Sequence, residues 1–139
     1  MAIKLRVLHY PDTPKLSALC KEISSAYENV KYDKIPPAYP CEKEKLLVAI
    51  IKTGGELSAE LKNFVGDLSK ARAENVLFVF GCNEATGKKI EDLAVNAGTK
   101  LAGDSKYVKF PFLPFLDMSP ATKQEIKDAV KAAYDPLNV

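Results

Sequence analysis

The chain has no tryptophan, one histidine (His9) and only three cysteines, Cys20, Cys41 and Cys82. An odd number of cysteines with no close pair argues against a disulfide scaffold, and no Cys/His cluster has the spacing of a zinc site. Long hydrophobic runs are also missing: no apolar segment nears the ~18 residues a bilayer span requires. Neither sign of charge dominates. Lysine and arginine total 20 against 18 acids, for a net charge of +2, and the lysines are interspersed with carboxylates. No basic tract therefore points to nucleic acid or to an anionic membrane. The opening residues, Met1-Ala2-Ile3-Lys4-Leu5-Arg6, interrupt their apolar positions with charge, unlike the apolar stretch of a signal peptide. These absences lead us to expect a cytoplasmic protein without nucleic-acid or membrane partners.

What is present suits one globular domain spanning residues 1–139. The hydrophobic share of 47% and charged share of 27% are ordinary, and the length is enough to bury a core. Ile3, Leu5 and Val7 alternate with Lys4 and Arg6, which predicts a strand from Ile3 to His9. Leu16, Leu19, Cys20, Ile23 and Tyr27 then recur at helical spacing, with Pro14 tolerated in the first turn. A short strand is expected over Asn29 to Ile35. Pro36, Pro37 and Pro40 mark the loop that follows.

Leu46 to Ile51 is an unbroken apolar run, as in a central parallel strand covered on both faces. Thr53-Gly54-Gly55 ends it. A helix follows on Leu57, Leu61, Phe64, Val65 and Leu68, with Ser58 as its N-cap. Val76 to Phe80 predicts the next strand, stopped by Gly81-Cys82-Asn83. Thr86 is a candidate cap for a helix that buries Ile90, Leu93, Ala94 and Ala97 and ends at Gly98. A fifth strand is expected over Thr99 to Ala102, resuming at Tyr107 to Phe110. Ser119-Pro120 opens a last helix with Ile126, Ala129, Val130, Ala133 and Tyr134 inward.

Strands alternating with crossover helices imply a parallel sheet with right-handed connections, and an open three-layer α/β sandwich. Ligands in such sheets sit beyond the carboxyl ends of the strands. Here three loops form that edge: Tyr10 to Lys15, Thr53 to Leu57, and Gly81 to Gly87.

Two stretches, Leu46 to Phe64 and Val76 to Gly81, resemble the third and fourth strands of flavodoxin-like proteins with their following turns. The resemblance covers nearly the whole chain. It implies a flavodoxin-like three-layer α/β/α sandwich with a five-stranded parallel sheet in the order 2-1-3-4-5, FMN at the switch between strands one and three, and one-electron transfer. Residues that would hold a flavin or other ligand are then Tyr10, Thr13 and Lys15 from the first loop, Thr53, Gly54 and Gly55 from the second, and Gly81, Cys82 and Asn83 from the third.

The family's first loop typically reads Ser/Thr-x-Thr-Gly-x-Thr, wrapping the FMN phosphate with hydroxyls and amides. Laid over this chain, Thr13 keeps the central threonine. Pro11 and Asp12 replace the first two positions, Pro14 the glycine, and Leu16 the last threonine. Proline has no N–H to donate and fixes φ, Leu16 has no hydroxyl, and Asp12 would repel a phosphate. Lys15 could partly offset that charge. Each lost charge-assisted bond costs on the order of 1.5–3 kcal/mol. The other two loops carry none of the aromatics that usually sandwich the flavin ring. From the residues we therefore expect no bound cofactor and a binding or regulatory module. A working FMN carrier gripping through Thr13, Lys15 and the first helix N-terminus is the alternative.

An enzyme is the third reading, but no residue set here recommends a catalytic or metal role. Asp12 stands alone, Thr53 sits where a receiver domain has an aspartate, and no Cys-x5-Arg loop occurs. Cys82, near a helix start, is either a thiol of lowered pKa or a small packed residue. Gly54-Gly55 either admits a flat ligand or makes a tight turn with positive φ. Phe110-Pro111-Phe112-Leu113-Pro114-Phe115-Leu116 either packs over the sheet end or offers Phe110, Phe112 and Phe115 to a protein partner or second copy of the chain. His9 and Tyr10, ending the first strand, either face a ligand or divide between packing and solvent.

Overall fold

The structure is a computed structural model, describing residues 3–28, 30–110 and 118–138. Strands Leu5–Tyr10 (β1), Lys31–Lys34 (β2), Glu44–Lys52 (β3), Ala73–Gly81 (β4), Lys100–Leu101 (β5) and Lys106–Tyr107 (β6) alternate with helices Pro14–Ser24 (α1), Ala59–Gly66 (α2), Glu84–Ala97 (α3) and Pro120–Leu137 (α4). Every strand pairing is parallel, in the order β2-β1-β3-β4-β5, and β6 also pairs with β4.

The fifth strand is broken rather than continuous. β3 pairs with β4 along the whole of both strands, so β5 and β6 share the other flank of β4. There β5 lies beside Asn75 and Val76, and β6 beside Val79 and Phe80. Between them Gly103 takes a φ of +84°, a left-handed turn that favours glycine and lifts the chain off the ladder.

Alternation along the central strands divides the interior in two. Leu46, Val48 and Ile50 of β3 pack with Leu77 and Val79 of β4 beneath Leu16, Leu19 and Ile23 of α1 and Ile126 and Val130 of α4. Leu47, Ala49 and Ile51 point the other way, joining Val76, Phe78 and Phe80 beneath Leu61 and Val65 of α2 and Ile90 and Ala94 of α3. Strand residues alternate sides while helices must bury one stripe, so a sheet with two apolar faces takes helices on both. Phe78 and Phe80, two residues apart on one face, stack with ring centroids 5.0 Å apart.

Capping fixes where α1, α2 and α3 begin. Thr13 accepts from the Leu16 N–H at 3.3 Å, Ser58 from Leu61 at 3.2 Å, and Asn83 from Thr86 at 2.8 Å. Asn83, not Thr86, therefore caps α3; Thr86 is buried within its first turn. Gly98 ends α3 with φ +106°, and Ser119 with Pro120 opens α4 as the sequence predicts. Among the described residues no helix is long and apolar enough to cross a membrane.

Candidate functional site

Parallel strands bring the carboxyl ends of β1, β3 and β4, and with them the N-termini of α1, α2 and α3, to one edge of the sheet. β1 neighbours both β2 and β3, so the strand order reverses there and a crevice is expected between the β1 and β3 loops. Tyr10 spans it. Its hydroxyl donates to Ser58 Oγ at 2.7 Å, and the same Oγ accepts from Leu61 N–H. The end of β1 is thereby tied to the start of α2 by a phenol lying across the switch point.

At the β1 mouth two backbone donors are committed or absent. The Leu16 N–H is bonded to the Thr13 hydroxyl oxygen, and Pro14 opens α1 with no N–H to offer. Lys15 is exposed in the first helical turn. Behind them lies His9, only 2% exposed, with Nδ1 3.6 Å from Cys20 Sγ. Its Nε2 stands 3.6 Å from Asp12 Oδ1, longer than a hydrogen bond, and has no hydrogen-bond partner among the described residues. Burial lowers the His9 pKa, and it prevails over the opposing pull of Asp12 and the weaker one of Asp33, so the ring is neutral at pH 7. Burial pushes the Cys20 thiol up to about 12. The thiol and the carboxylate thus approach different nitrogens of the imidazole, and burial favours the protonated form of the sulfur.

The β3 mouth is the open one. Thr53 is half-buried, and its N–H reaches the Gly81 carbonyl at 3.4 Å. Gly54 and Gly55 are exposed, and a Cβ on either would meet nothing within 4 Å. Neither has positive φ; among the described residues only Gly98 and Gly103 are glycines with it. The tight-turn reading of Gly54-Gly55 is therefore wrong, and open space beside the backbone is what these glycines supply.

At the β4 mouth the space is filled. A Cβ on Gly81 would overlap the Phe110 ring, and one on Gly87, in the first turns of α3, would overlap the Tyr107 phenol. Tyr107 also tilts against Phe80, with centroids 5.4 Å apart. Both aromatics come from the edge chain beyond β5, whose Val108 N–H bonds the Phe80 carbonyl and aligns it with the end of β4. Cys82 is half-buried, and burial raises its pKa, opposite in direction to a reactive thiol. Asn83 is occupied as the α3 cap.

Of the nine candidate residues, the fold brings Tyr10, Thr13, Lys15, Thr53, Gly54, Gly55, Gly81, Cys82 and Asn83 to one sheet edge, as the loop positions predict. Sequence reasoning missed Ser58 as the partner of Tyr10 and Tyr107 as the cover for Gly87, whereas Phe110 follows the reading in which its segment packs over the sheet end. A signal for the second was present, since aromatics in the last edge segment face a glycine-bearing strand end. Phe110 is half-buried against this edge; Phe112 and Phe115 lie outside the described residues. No group of three or more metal-ligating side chains occurs among the described residues. No protein-family model matches the chain, and no curated protein matches it.

Proposed function

We propose that the protein is a flavodoxin-like binding or regulatory module whose mononucleotide site is weakened or lost. The strand order and the three helix N-termini at one edge support the flavodoxin-like reading. The observation that carries the loss is the filling of the space beside Gly81 and Gly87 by Phe110 and Tyr107. Glycine at a strand end or in the first turns of the following helix lets a flat ligand approach the backbone closely; here rings of the same chain take that approach. The Leu16 amide, bonded to Thr13, and the Pro14 start of α1 leave fewer phosphate donors at the other mouth. FMN does not fit the residues present, and the activity is recognition rather than electron transfer.

Titrating the protein with FMN while following flavin fluorescence tests this directly. The expected result is no saturable quenching up to millimolar FMN. Stoichiometric quenching, or a purified protein already yellow, would overturn the proposal in favour of a working carrier that grips through Thr13, Lys15 and the α1 N-terminus.

A further inference from the structure

We draw no further inference here: the strongest candidate, the exposed loop Pro36-Pro37-Ala38-Tyr39-Pro40 between β2 and β3 with Tyr39 75% exposed, bends at Pro36 and again at Ala38 and Tyr39 instead of presenting an extended proline motif, and nothing in the structure shows what covers it.

Discussion

The mouths of β1 and β4 begin alike and are closed in opposite ways. Each ends a parallel strand, and each passes within a few residues to a capped helix N-terminus, by Thr13 in one case and Asn83 in the other. Such a terminus collects unpaired N–H groups and the positive end of a helix dipole, so it attracts anions by default. At β1 anion donors are few: Pro14 has no N–H, the Leu16 amide is bonded to the Thr13 hydroxyl, and Asp12 adds a negative charge. At β4 the backbone still has its glycines, but aromatic rings cover them. Donors are thus scarce at one strand mouth and volume is filled at another, and one sheet shows both.

The two closures differ in how they respond to substitution, which gives a ranked set of tests. Gly81→Ala should have the largest effect, a loss of ~1–3 kcal/mol by urea denaturation, because the Phe110 ring, half-buried against one core, must move. Gly87→Ala should cost much less. Tyr107 is 36% exposed and can swing outward, while alanine gains up to ~1 kcal/mol of helix propensity over glycine. Equal losses at the two glycines would mean that both rings are equally fixed.

Next in size come the caps. Ser58→Ala removes both the α2 cap and the acceptor for Tyr10, for an expected ~1–2 kcal/mol, whereas Thr13→Ala removes a cap alone and should cost ~1 kcal/mol. A double-mutant cycle of Ser58→Ala with Tyr10→Phe isolates the link across the crevice; zero coupling would show that the 2.7 Å bond adds nothing in solution.

A smaller effect is pH-dependent. His9 has its pKa lowered by burial, so the unfolded chain takes up a proton at a higher pH than the folded one. The resulting stability is whole above the unfolded value near 6.5. It falls as pH drops from there toward the folded pKa, because only the unfolded state is then gaining protons. Denaturation at pH 7 and pH 5 should show a steeper acid loss for the native chain than for His9→Gln. Parallel losses would place the imidazole in contact with water.

The smallest perturbation is thiol labelling of the folded protein. Cys20 and Cys41 are buried and Cys82 is half-buried, with burial raising all three pKa values. Native labelling should be confined to Cys82 and slower than for free cysteine, with all three reacting after denaturation. Rapid labelling at Cys82 would restore the reactive reading.

Much of the architecture was legible because it rests on local patterns. Leu46 to Ile51 had to be a doubly covered strand, and Ser58, Gly98 and Ser119-Pro120 marked helix ends through their own side chains or backbone freedom. The break in the fifth strand was half legible: the gap between Thr99–Ala102 and Tyr107–Phe110 was visible, but not that both pieces would be two residues long. Asn83 was passed over for Thr86 as a cap because both side chains can accept, and only the backbone start of α3 decides between them. At the candidate site, loop positions were readable and their occupancy was not.

Sequence alone determined the alternation of strand and helix, the two apolar faces and the edge where helix N-termini gather, since periodicity and capping act between near neighbours. Tertiary structure alone decided that Tyr10 reaches Ser58, that Phe110 and Tyr107 cover Gly81 and Gly87, and that His9 is held neutral. Those outcomes depend on which distant segments the sheet sets side by side, and on the dielectric their packing creates, neither of which is written in any short stretch of chain.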